Sequence, residues 1–290
     1  MGTLPAEGFI PRTLFILENY WQSFLSGIGN TMLIALFSTA VGCLIGLAVG
    51  IVQTIPIDRR ENAVKYFLIG AVKCILHAYV EIFRGTPMMI QAAFIYYGLP
   101  YVFGINLEML PAALLIVSIN TGAYMAETVR GGILSIDPGQ TEGAQAIGMT
   151  HFQTMTNVIL PQAIRNIMPQ IGNNLIINIK DTCVLTIIGV TELTYATRSA
   201  AGAYYTFFEA FSIAMVFYFI LTFVCSRILR VIEKRMDGPE NYTIADTRLR
   251  TMRLDAGNYR IPENDRETNP DYQERKRDAS LEGVRERGEL

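Results

Sequence analysis

Gln170, Asn173, Asn174 and Asn178 lie among apolar residues in the segment from Leu160 to about Lys180, and Lys180 and Asp181 follow at once. Carboxamides both donate and accept hydrogen bonds, so a face of them supports recognition rather than bond making. Asn174 and Asn178 are four residues apart and share one face of a helix. Polar groups in a membrane-length apolar segment are costly and face a cavity or a partner. Two uses stay open for this face: holding a polar solute, or bonding one helix to another. Arg84, Gln91 and Glu127 sit in or beside other apolar segments and are further candidates for a solute path. For Arg84 the competing use is a side chain that snorkels to lipid at the cytoplasmic boundary.

The groupings that support catalysis do not accompany these residues. There is no G-x-x-x-x-G-K-[ST] phosphate loop, no H-E-x-x-H and no G-x-S-x-G. His77 and His151 are far apart and lack metal-ligand company. Cys43, Cys74, Cys183 and Cys225 show no C-x-x-C spacing and read as small hydrophobes packed between helices. No catalytic residue, metal site or cofactor is expected.

The elements that must position these residues are membrane helices. Of the 290 residues 51% are hydrophobic, and the mean hydropathy is +0.29. That is too apolar for an ordinary soluble domain. Charge is segregated: residues 237–290 hold 13 Asp/Glu and 10 Lys/Arg. The net charge of −2 and the lack of a dense basic stripe exclude a nucleic-acid partner. Apolar stretches predict an all-α protein with about five transmembrane helices, at Trp21 to Thr54, 86–104, Met109 to Arg130, Leu160 to Lys180 and Tyr204 to Leu229. Residues 63–83, broken by Lys65, Lys73, His77 and Glu81, read as a membrane-proximal helix or the lower end of a tilted one. Gly42, Gly46 and Gly50 recur every four residues and give the first span a smooth face for close helix approach.

Basic residues follow the first span (Arg59, Arg60), end the third (Arg130) and end the last (Arg227, Arg230, Lys234, Arg235). The positive-inside rule then puts the N-terminus outside and the C-terminus inside. The expected organisation is a short extracytoplasmic N-terminus over 1–20, a transmembrane domain over 21–235 and a charged tail over 236–290. The tail buries too little apolar surface to offset chain ordering, so it is expected to be mostly disordered. No cleavable signal peptide is read at the N-terminus.

One polar segment, 137–161, falls on the cytoplasmic side. Asp137 is a good N-cap with Pro138 at the first helical position. Gly148 ends that short helix, and an amphipathic piece (Phe152, Met155, Val158, Ile159) runs into Leu160-Pro161. A structured helix–glycine–helix element between spans is a place for another protein to dock.

Glu142-Gly143-Ala144, three residues, Gly148, nine residues, then Val158-Ile159-Leu160-Pro161 resembles the EAA motif of ABC importer permeases, E-A-A, three residues, G, nine residues, I-x-L-P. Gly143 and Val158 depart from that pattern, in place of alanine and isoleucine. Phe83-Arg84-Gly85-Thr86-Pro87, Gly122 to Glu127, Lys180-Asp181-Thr182 and Ile188 to Leu193 resemble the polar amino acid branch, the histidine/glutamine/glutamate permeases. The likeness covers about 20–235. It implies a type I importer permease fold in a bacterial inner membrane and a separate ABC ATPase subunit coupled through Glu142, Gly143, Ala144, Gly148, Leu160 and Pro161. It also implies a second permease subunit, the same or a homologous chain, an extracytoplasmic substrate-binding protein and membrane lipid around the spans. In that setting the polar face of the fourth span would meet an amino acid substrate, and Gly148 would allow a sharp turn. Glu142 would offer a charge to the ATPase or serve its own helix dipole. An ion-gradient-driven secondary amino acid transporter is the alternative, although no internal repeat supports it. A third reading is a scaffold that assembles a complex through its charged tail.

Overall fold

Glycine spacing brings two long helices together, α1 (Phe9–Thr54) and α4 (Met109–Leu134). A β-carbon added at Gly42 would stand 2.6 Å from Thr121, at Gly46 2.3 Å from Met125 and at Gly50 2.7 Å from Val129. The numbers rise together along both helices, so α1 and α4 run parallel. The computed structural model that shows this describes residues 8–55 and 63–236. Residues 1–7, 56–62 and 237–290 lie outside it, and with them Arg59, Arg60 and the charged tail.

Among the described residues every regular element is helical. The return from α1 to α4 is made by α2 (Ala63–Gly85) and α3 (Met88–Phe103) in sequence. Val80 of α2 packs with Val49 and Ala126, and Ala92 of α3 packs with Ala112, Ala113 and Ile116. Then come α5 (Pro138–Ala146), α6 (His151–Thr154), a π-helical turn (Met155–Ile159), α7 (Leu160–Asp181) and a 3₁₀ turn (Thr182–Ile188). Helix α7 runs antiparallel to α4: Ile167 lies against Gly132, and Asn178 reaches Thr121. Helix α8 (Leu193–Tyr204) packs on α1 through Leu193, Ala196 and Ala200, and α9 (Phe207–Met236) closes the bundle. Among the described residues five helical stretches are long and apolar enough to cross a membrane: Phe9–Thr54, Tyr66–Gly85, Met109–Leu134, His151–Ile188 and Phe207–Arg235.

Three expectations about boundaries change. The first span does not begin at Trp21, because residues 9–20 are the opening turns of the same helix. Ile16 is fully buried with Phe24 and Leu193, and Phe15 packs edge-on to Tyr204, so this stretch has a packing partner of its own. The second crossing helix is Tyr66–Gly85, and Met88–Phe103 is the shorter apolar helix, the reverse of the expected order. Three of the groups that broke the pattern have partners: Lys73 donates to the carbonyl of Ile55, and His77 lies 3.7 Å from Glu81 one turn on. Thr86-Pro87 breaks α2 from α3, since the residue before proline leaves the helical region. The fourth span starts at His151 rather than Leu160, because the π-helical turn carries the helix through to Pro161. Leu160 bonds back five residues to Met155 there, and proline has no N–H to continue the ordinary ladder.

Candidate functional site

The polar segment forms as its residues demand. Asp137 caps α5, its carboxylate accepting from the amide of Gly139 at 2.7 Å, with Pro138 at the first position. Helix α5 ends at Ala146, and two residues on Gly148 turns the chain with a left-handed φ of +84°, a conformation costly for any residue with a β-carbon. Thr150 then opens α6 with a capping box: its hydroxyl accepts from the Gln153 amide, and the Gln153 side chain accepts from the Thr150 amide at 2.9 Å. Ala144 is buried and anchors the element, while Glu142, Gly143, Ile147 and Phe152 face outward. Glu142 is the fifth residue of α5, beyond the first turn where a helix dipole acts strongly. Ile147 is 79% exposed and Phe152 75%. Leu160 is half-buried and Pro161 exposed at the head of α7.

The amides expected to line a path divide into two sets. Asn178 is buried and donates to Thr39 on α1 at 2.8 Å and to Thr121 on α4 at 3.0 Å. Asn174 is buried too and donates to the carbonyl of Gln170 and the sulfur of Met125. Gln91 donates to the carbonyls of Phe83 and Thr86 and accepts from Asn120 at 2.8 Å. Of the two uses left open for the shared face of Asn174 and Asn178, this structure shows the bonding of helix to helix. Asn173 is exposed and Asp181 half-buried. Asn120, Thr39 and Thr121 were not singled out from the sequence, since nothing local marks a threonine as the partner of an asparagine 57 or 139 residues away.

Arg84 is not at a helix end facing lipid alone. Its guanidinium lies 3.7 Å from Glu127 of α4 and 5.9 Å from the Tyr124 ring centre. Glu127 also takes a bidentate pair from Arg130, at 3.2 and 2.5 Å. Arg130 was read as an end-of-span charge, although its spacing of three from Glu127 was a legible sign of the pair.

Beyond the opposite end of α7, Glu192 is fully buried at the start of α8. Its carboxylate accepts from the amides of Thr194 and Tyr195, both at 2.8 Å, and from the Tyr218 hydroxyl of α9 at 2.9 Å. Burial pushes its carboxyl above the usual range, and these hydrogen bonds pull the other way. Glu192→Ala leaves the amides of Thr194 and Tyr195 without their acceptor, while the Tyr218 hydroxyl keeps the Thr194 hydroxyl at 2.9 Å, a loss of about 1–3 kcal/mol. Thermal unfolding of the purified protein should show Glu192→Ala well below Glu192→Gln, which keeps a carbonyl acceptor. Equal melting temperatures would show that the cap carries no such weight.

Residues 68–238 match the family described as binding-protein-dependent transport system inner membrane component. The chain is 37% identical over 213 residues to the glutamine transport system permease protein GlnP of Escherichia coli K12, covering 73% of this chain and 92% of that one. It is 31% identical to the arginine transport system permease protein ArtQ of Bacillus subtilis 168, over 78% of this chain and 94% of that one. A solved structure described as an amino acid ABC transporter with histidines superposes with a TM-score of 0.68 at 32% identity, over 80% of this chain and all of that one. A match over more than half of the chain, together with five membrane-length helical stretches among the described residues, places it as a permease subunit: the protein belongs to the family of binding-protein-dependent transport system inner membrane components.

Proposed function

We propose that this protein translocates polar amino acids across a bacterial cytoplasmic membrane as the permease subunit of an ABC importer. The relatives whose names mention glutamine and arginine support the substrate class. The observation that carries the mechanism is the helix–glycine–helix element, capped at both of its helix starts and leaving Ile147 and Phe152 bare. A separate ATPase docks on this face, with Glu142 beside it and Gly148 setting the angle between α5 and α6. Leu160 and Pro161 pass its motion into α7. A second permease, the same or a homologous chain, completes the pathway, and an extracytoplasmic binding protein delivers the substrate. Lipid surrounds the apolar outer faces, such as Val64, Phe67, Val72 and Ile75 of α2 and Phe219 and Val224 of α9. Catalysis belongs to the ATPase, not to this chain. Asn173, Asp181, Arg84 and Glu127 keep side chains accessible to a path. Asn174, Asn178 and Gln91 serve it by holding helices in place. The organisation is a transmembrane domain with the 137–161 element and the 236–290 tail on the cytoplasmic side. Nothing in the relatives supports the ion-gradient-driven alternative.

The test is a pull-down from native membranes with identification of partners by mass spectrometry. Recovery of a Walker-motif ATPase is expected with the wild type. A β-branched residue at Gly148 meets no neighbouring atom but must adopt the left-handed backbone, at about 1–2 kcal/mol. Gly148→Val should therefore lower ATPase recovery while the spans stay folded. Gly143→Ala, in open space, should leave it intact. Equal recovery with Gly148→Val and wild type would remove the docking role from this turn.

A further inference from the structure

Exposed faces of the spans differ in chemistry. Helix α4 is the most enclosed, with 61% of its most apolar stretch buried, against 6% for α2 and 17% for α9. Most of what α2 and α9 expose is apolar, as lipid requires, although α2 also exposes His77 and Glu81, which pair with each other one turn apart. What α4 leaves uncovered between Tyr124 and Gly131 is not. Tyr124 is 42% exposed, the Glu127 side chain 33% and the Arg130 side chain 40%, and nothing stands within 4 Å of where a β-carbon at Gly131 would be. A charged stripe on the central helix of a membrane bundle faces water or a partner rather than lipid.

Arg84 overhangs this stripe from α2. Arg130 holds Glu127 with two hydrogen bonds, whereas Arg84 only approaches the same carboxylate at 3.7 Å. Among the described residues Arg84 makes no hydrogen bond. Its remaining contact is the face of Tyr124. A guanidinium has five N–H donors in a planar fork that matches a carboxylate. Here the fork is aimed by Glu127 and the Tyr124 ring, and its donors are unfilled within a membrane-spanning stretch.

Resting on the permease reading above, we propose that Tyr124, Glu127, Thr128 and Gly131 form a wall of the translocation path, and that Arg84 receives the α-carboxylate of the passing amino acid. Glu127 and Arg130 are positioning residues: Arg130 fixes the carboxylate, and the carboxylate fixes Arg84. The site reads the part that all amino acids share, so it sets the substrate class and leaves side-chain choice to other groups.

The experiment uses the full chain in complex with its ATPase, in phosphatidylcholine nanodiscs with and without anionic lipid. Binding of L-glutamine, L-arginine and their α-carboxamides is measured by calorimetry. In the wild type at least one amino acid should bind about tenfold more tightly than its amide, the weight of one charge-assisted contact. Arg84→Gln should abolish that difference by weakening the amino acid alone, and Arg84→Lys should restore part of it. Equal weakening of acid and amide, no binding of either amino acid, or a loss that appears only with anionic lipid present would overturn the site, the last by making Arg84 a lipid-phosphate contact. ATPase recovery does not depend on Arg84, so its absence from the wild type would instead defeat the permease reading.

Discussion

A chain carrying Ile147→Ser and Phe152→Ser is expected to fold, reach the membrane and lose its ATPase. Both residues are at least three-quarters exposed, on either side of a turn that Gly148 holds in a left-handed conformation. Burying each against a partner is worth about 1.5–3 kcal/mol, so losing both weakens docking by a hundredfold or more. The bundle itself spends nothing on them. Its anchor in this element is the buried Ala144, and the Asp137 and Thr150 caps are untouched. The measurement is the ratio of ATPase to permease in the pull-down, with ATP-driven uptake by reconstituted vesicles as the second readout. Glu142→Lys should act in the same direction but less, because an exposed charge pair contributes about 1 kcal/mol at most. An unchanged ratio in the double variant would mean that the ATPase binds elsewhere on the chain.

Gly46→Val should cost the most stability of any single change at the seam between α1 and α4. A β-carbon there would stand 2.3 Å from the Met125 β-carbon, 2.7 Å from its carbonyl carbon and 2.8 Å from the Ala126 amide. Two of those atoms are backbone, so no rotamer change relieves the overlap, and the helices must separate. Overpacking of a tight core costs about 1–3 kcal/mol, and a seam of backbone atoms lies at the upper end or beyond. The separation would also loosen the Asn178 bonds to Thr39 and Thr121, which cross the same seam. A lower melting temperature in detergent is expected. Gly29→Ala, in open space on the same helix, should be neutral or slightly stabilising. If Gly46→Val melts with the wild type, the close approach of α1 to α4 is wrong.

Much of this was legible in the residues. The four-residue glycine rhythm announced a close-packed helix face, and α4 is what meets it. Asp137-Pro138 announced a capped helix, and Gly148 the turn after it. Local chemistry carried those readings, because caps and proline act within a few residues. The second span was misassigned because hydropathy counts charges as interruptions. Lys73, His77 and Glu81 find partners within the fold, and their helix is not shortened by them.

The residues by themselves determined the class, the approximate spans and the family signature, since each depends on composition or on spacing along the chain. Tertiary structure alone decided which distant groups each polar side chain meets. Asn174 and Asn178 share a helix face by period, but only packing showed that this face meets Thr39, Thr121 and Met125. Arg84 and Glu127 are 43 positions apart, and only the crossing of α2 over α4 made them neighbours on an uncovered stripe. Helical periodicity states which residues look the same way. What they look at is set by long-range burial, and burial is a property of the assembled bundle.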